Sequence, residues 1–269
     1  WTHTHENARC CSGRGRRAGR GGAARAGVCY YCRVMDDAEE QRLTRAIERT
    51  RVVRAPRRAL ATFGTTAVRY YLVTEPAFAG LPGTTLDAES VVREGVVRAE
   101  RPQVVTPFYL SRHEGFGEHA QEYLDYLTRE FGPDSPGLLY TYKNEAMETS
   151  VVTGSPDEVA TRLGERLDRE EKALEAVVRG VDELWDVSLM KFIYELTDQS
   201  VQTNVQDLHA HGLLGVEDGV PREARHRIER LIEQAREGQV EPSTVHQELE
   251  RWGLFEEYQD RFLSLFRGR

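Results

Sequence analysis

The sequence predicts an α+β protein: a small, mainly antiparallel sheet region with one or two helices, followed by an all-helical C-terminal region. Three observations predict it. Val68, Tyr70 and Leu72 alternate with Arg69, Tyr71 and Val73 in the period of two that a strand requires. From Val159 onward apolar residues recur at three- and four-residue intervals, the helical period. Between the two regimes, Ser155-Pro156-Asp157-Glu158 combines a capping serine, a proline at the first helical position and a glutamate placed to close a capping box.

The elements follow in order. Asp37 to Val53 reads as a polar helix whose thin apolar stripe is Leu43, Ala46 and Ile47. Arg54 to Arg58, broken by Pro56, is a connection, and the strand through Val68 and Leu72 ends at Glu75-Pro76. "AFAGLPGTTLDAES" is a loop by its Gly and Pro. Val91-Val92 and Val96-Val97 flank Arg93-Glu94-Gly95, which predicts a hairpin turning at Gly95. Gln103 to Val105 is a short extended piece between Arg101-Pro102 and Thr106-Pro107. Phe116, Ala120, Tyr123, Leu124, Leu127 and Phe131 then fall on one helical face, stopped by Gly132-Pro133. Leu138 to Tyr142 and Thr149 to Thr153 read as two further strands.

Beyond Ser155, Val159, Leu163, Leu167, Leu174, Val177 and Val178 are expected on the buried face of one helix. Trp185, Leu189, Phe192, Ile193 and Leu196 form the next stripe; Ala224, Ile228, Leu231, Ile232 and Ala235 form another, closed by Gly238. Two short helices surround Trp252-Gly253-Leu254-Phe255, with Tyr258, Phe262 and Phe266 on one side. The expected organisation is an extension over 1–34, a helix and linker over 35–56, an α+β domain over 57–153 and a helical domain over 156–269.

Charge is distributed unevenly. Residues 1–34 hold seven Arg against one acid, Glu6, whereas the other 235 residues hold 29 basic and 43 acidic side chains, a net of −14. Such a body repels a phosphate backbone at long range, so nucleic acid is disfavoured as its partner. Lys143, Lys172 and Lys191 are the only lysines. No stretch approaches the roughly 18 consecutive apolar residues of a membrane span.

All four cysteines, Cys10, Cys11, Cys29 and Cys32, lie in the basic segment. Cys29 and Cys32 have the C-x2-C spacing of half a tetrahedral zinc site, which Cys10 or Cys11, or His3 and His5, would complete. Against this, Ser12 to Gly27 is almost wholly Gly, Arg and Ala with no apolar period. Composition also changes abruptly at Met35, which Asp36, Asp37, Glu39 and Glu40 follow. The expectation is that Met35 is the native start, that residues 1–34 are a disordered or non-native extension, and that no metal or other cofactor is bound. A transit peptide would share the Arg-rich, acid-poor composition but needs an amphipathic stretch that is missing. The cysteine-free remainder fits a reducing cytoplasm.

Few constellations carry chemistry. His113-Glu114 with His119 gives H-E-x4-H, whereas a helical zinc site needs its two His four apart. "NVQDLHAHGLLG" holds Asp207, His209 and His211; an acid and an imidazole here suit proton transfer, and equally a helix end. "ATFGTT" places Thr62, Gly64, Thr65 and Thr66 before a strand without the lysine of a phosphate loop. Arg69, Tyr70 and Tyr71, with Arg98, Arg101, Phe108 and Tyr109 across the expected sheet, combine the residue types that anchor protein interfaces.

"ALATFGTTAVRYYLVTEP", "VREGVVRAERPQVVTP" and "GLFEEYQDRF" resemble segments of a bacterial family of uncharacterised conserved proteins, over about residues 54–269. The resemblance implies a cytoplasmic bacterial protein and carries no catalytic residue. The expected function is a non-enzymatic, cytoplasmic protein-interaction or regulatory module that binds another protein or its own copy. The alternatives are a hydrolase or transferase working between the domains with Asp207, His209, His211 or His113, and an RNA- or ribosome-associated factor.

Overall fold

The computed structural model describes residues 37–76, 89–111 and 118–266. Helix α1 (Asp37–Arg49) leads into strand β1 (Arg51–Arg54), then β2 (Thr66–Thr74), β3 (Glu89–Ala99), β4 (Gln103–Val105), α2 (Pro107–Ser111) and α3 (Glu118–Phe131). Strands β5 (Gly137–Leu139), β6 (Tyr142–Asn144) and β7 (Glu148–Thr153) precede α4 (Pro156–Arg169), β8 (Glu175–Arg179) and the long α5 (Trp185–Ala210). The chain ends in β9 (Val216–Glu217), β10 (Val220–Pro221), α6 (Arg222–Arg236), α7 (Pro242–Trp252) and α8 (Phe255–Ser264). The α+β expectation holds in this broad form.

The main sheet runs β1-β8-β2-β3-β6, and β7 pairs with the first half of β3 on the same edge as β6. It is mixed: β8 runs parallel to β2, and the other pairings are antiparallel. Helices cover both faces. Val68, Tyr70, Leu72, Val97, Ala99, Ala176 and Val178 meet Leu189, Phe192, Ile193 and Leu196 of α5 on one side. Tyr71, Val73, Val92 and Val177 meet Val159, Ala160 and Leu167 of α4 on the other. Strand β2 is therefore apolar at successive positions 70–73, as a strand buried on both faces must be.

A second core holds Val105 and Tyr109 against Val220, Ala224, Ile228, Ile232, Val245, Leu249, Trp252 and Phe262. It encloses charge. Glu223 is fully buried; it accepts from the Arg101 and Arg227 guanidiniums and from the Val104 amide at 3.3 Å. Arg227 also pairs with Glu248, which accepts from the Trp252 indole at 2.9 Å. Burial, reinforced by Arg230 and Arg227, pulls the Arg101 guanidinium down to about 10. Removing one member would strand its partners as buried, unpaired charges, typically a loss of about 3–5 kcal/mol.

Several expectations are corrected. No hairpin turns at Gly95: β3 is one continuous strand of 11 residues, and Gly95 lies opposite Tyr70 in the ladder with β2. A Cβ there would come within 2.5 Å of the Tyr70 hydroxyl and 2.7 Å of its Cζ, so the glycine makes room for a buried ring. Leu174, Val177 and Val178 are not on a helix. The helix ends at Arg169, Glu171 takes a positive φ of 53°, and β8 starts at Glu175. A run of three apolar residues suits either period, and the place between β1 and β2, covered on both faces, decides it.

Val52 and Val53 likewise belong to β1, not to the first helix. On α3, Tyr123 and Phe131 are 60% and 55% exposed, because an amphipathic pattern specifies a face without supplying its partner. The loop expected over residues 77–88 lies outside the described residues. Ser155 makes the expected capping box, its amide donating to Glu158 Oε2 at 3.0 Å. Yet β8 lies after it in the sheet, and Val105 and Tyr109 lie before it in the helical core, so it does not divide the two cores.

Gly95→Ala is expected to lower stability by about 1–3 kcal/mol in denaturant melts. In a Tyr70→Leu background the same substitution should cost clearly less, because the clash is gone. An equal cost in both backgrounds would show that Tyr70 is not what excludes the side chain.

Candidate functional site

Helix α5 is 26 residues long, about 39 Å at 1.5 Å per residue. Its sequence is apolar on two separate arcs. Leu189, Phe192, Ile193 and Leu196 line one arc and are buried. Successive helical residues turn by about 100°, which places Val187, Met190, Tyr194, Thr197, Val201, Val205 and the buried Leu208 within a second arc of about 80°. Met190 and Tyr194 are 63% and 72% exposed, and Val201 and Val205 are 37% and 38% exposed. Residues of this arc recur every three or four positions, the spacing of a helix-packing seam.

The helix cannot roll to hide this arc, because polar contacts pin its other sides. Ser188 shares a 2.8 Å hydrogen bond with Thr50, and the Lys191 ammonium donates to the Ile47 and Thr50 carbonyls at 2.9 and 2.7 Å. Ser200 Oγ accepts the Leu60 amide at 3.0 Å. The buried Asn204 side chain donates to the Leu60 carbonyl and the Thr62 hydroxyl, at 2.8 and 2.9 Å. It accepts from the Tyr140 hydroxyl at 2.8 Å. The Thr197 hydroxyl, halfway along the outer arc and at its edge, donates to the Ile193 carbonyl and is shared with the Tyr142 hydroxyl. An arc presented to solvent by a fixed helix is a standing surface.

The sequence-predicted residues are placed elsewhere or engaged. Thr62 donates to the Asp207 carboxylate at 2.6 Å, so this acid tethers the loop over 60–66. His211 is at the C-cap of α5; its Nδ1 lies 2.8 Å from the Asp207 carbonyl, and its ring packs edge-on against Phe63. The structure thus brings Asp207, His211 and the Thr62 loop together, through the backbone and not as an acid–imidazole couple. His209 is exposed one residue before the end of α5. His113, Cys10, Cys11, Cys29 and Cys32 lie outside the described residues. Among the described residues no cluster of His, Cys, Asp and Glu suits a metal, and no helix is long and apolar enough to cross a membrane.

The aromatic-arginine set does not form one surface. Tyr70 and Tyr109 are core residues, and Tyr71 is buried beneath α4, with the Arg166 guanidinium 5.7 Å from its ring centre. Arg101 turns into the buried Glu223 network. Arg69 and Arg98 do share the α4 side of the sheet; they pair with Glu94 and Glu145. Beside them a groove of about 400 Å³, lined by Arg58, Arg69, Lys172, Glu171 and Glu175, mixes both signs of charge. Where the parallel strands β2 and β8 end, Asp182 is taken by Thr74 at 2.7 Å and Arg93 at 2.6 Å.

No local motif marks Met190, Tyr194, Val201 and Val205 in the sequence. The signal was present: once Leu189, Phe192, Ile193 and Leu196 are assigned to the core, these four remain as a second set at helical spacing. Comparison with protein-family models, with curated proteins and with solved structures finds no match.

Burial and its neighbour Tyr142 push the Tyr140 phenol up to about 12, and burial followed by Glu175 and Glu94 does the same to Tyr71. Both groups keep their proton in the folded state where the unfolded chain, near 10, has lost it. Their effect on stability is nil below about pH 10 and increasingly unfavourable toward about pH 12. In an alkaline titration the phenolate absorbance of these two tyrosines is expected to rise together with loss of the helical circular-dichroism signal. Full ionisation of all 11 tyrosines near pH 10 with the fold intact would contradict this.

Proposed function

We propose that this protein is a non-enzymatic, cytoplasmic protein-interaction module that docks a partner on the outer arc of α5. One observation carries the reading: four large or β-branched apolar side chains stand exposed in line on a helix whose orientation internal hydrogen bonds fix. A helix apolar on both sides is normally buried on both. Tyr and Met are also enriched at the centres of protein interfaces. The polar flank of the arc carries Glu195 and Asp198 and the body is strongly acidic, which favours a protein over a nucleic-acid partner. The hydrolase or transferase alternative draws less support, because Asp207 is engaged by Thr62 and His211 faces a carbonyl.

The full chain, immobilised and exposed to lysate from its own source organism, is expected to retain proteins that a Tyr194→Glu chain retains at least about tenfold less. The two chains should melt alike, since Tyr194 is 72% exposed. Identical retained sets would remove α5 as the docking face.

A further inference from the structure

We infer that the partner on the α5 arc is a second copy of this chain, its α5 running antiparallel across a two-fold axis that passes between Thr197 and Asp198. The inference rests on the interaction reading above and adds the identity and direction of the partner.

The arc is self-complementary in reverse. Tyr194 and Val201 lie equally far on either side of the midpoint between residues 197 and 198, and so do Met190 and Val205. An antiparallel copy therefore sets Tyr194 against the partner's Val201 and Met190 against the partner's Val205. Each layer then joins one large side chain to one small, β-branched one, which keeps the seam evenly filled. A parallel copy would set Tyr194 on the partner's Tyr194 and leave Val201 facing the partner's Val201, overfilling one layer and underfilling the other. Antiparallel pairing about a two-fold axis also closes, so it gives a dimer rather than a chain of copies.

The centre of the seam can be covered without leaving a polar group stranded. The Thr197 hydroxyl is already satisfied within its own chain by Ile193 and Tyr142. One repulsive element remains: the exposed Asp198 carboxylates of the two copies come nearest to the axis. The exposed strip, from Met190 to Val205, is about 24 Å long and about one helix wide, at the low end of specific interfaces, so association is reversible and in the micromolar range.

Sedimentation equilibrium of the full chain from about 1 to about 200 μM tests this, with the range taken from typical weak interfaces. A reversible monomer–dimer equilibrium is expected. Tyr194→Lys and Val201→Glu should each weaken it at least about tenfold. The Tyr194→Lys/Val201→Glu double variant should regain most of it, because each new Lys then faces the partner's new Glu. Asp198→Asn, which disturbs no internal hydrogen bond, should tighten the dimer about two- to fivefold. A wild-type chain monomeric throughout overturns the inference, as does a double variant no better than the singles or an Asp198→Asn chain that dimerises no more tightly. Should the wild-type chain be monomeric yet still retain lysate proteins through Tyr194, the second copy falls and the interaction reading stands. If it retains nothing, both fall.

Discussion

Helix α5 has to satisfy two apolar arcs with one body, and much of the structure follows from how it does so. The sheet presents Tyr70, Leu72, Val97 and Val178 on one side, where α5 packs over them. Burying Leu189, Phe192, Ile193 and Leu196 there removes the inner arc from water, at about 1.5–3 kcal/mol per large side chain. That choice commits the outer arc to solvent. Thr50, Leu60, Thr62, Tyr140 and Tyr142 then bond to polar side chains on the remaining sides of the helix and leave it no freedom to rotate. Exposure of Met190 and Tyr194 is thus a consequence of the core and not slack at its edge.

The same helix fixes the layers around it. Gly180 lets α5 start close against the sheet, since a Cβ there would lie 2.7 Å from both Leu72 Cδ1 and Ser188 Oγ. Gly95 performs the matching service within the sheet by admitting the Tyr70 ring. Farther along the chain, the buried Glu223–Arg227–Glu248 network ties the arm that carries Arg101 and Val104 to α6 and α7. Such a network is weak evidence for net stability, because desolvation offsets much of the attraction. Its geometry does dictate which helix faces the arm.

Local chemistry was legible in the sequence, and pairing was not. Ser155, Pro156 and Glu158 announce a helix start because the signal is complete within four residues. The alternation through Val68, Tyr70 and Leu72 announces a strand for the same reason. The strand over Glu175–Arg179 was hidden, since its two valines become strand residues only when β1 and β2 flank them. Gly95 reads as a turn because nothing nearby in sequence reveals that Tyr70 lies opposite. Tyr70, Tyr71 and Tyr109 looked like surface anchors for the same reason: which face of a strand or helix is covered is a tertiary fact. The α5 arc was readable in principle, but only after the core stripe had been subtracted from it.

In a dimer of the kind inferred above, the α5 arc is covered when copies of the chain meet. Hydroxyl-radical footprinting at rising protein concentration addresses this directly, because Met190 and Tyr194 are both oxidisable and exposed. Their reactivity is predicted to fall as concentration rises, while that of Tyr123 and Tyr126, exposed on α3, stays constant. Reactivity at Met190 and Tyr194 that does not change with concentration would contradict it.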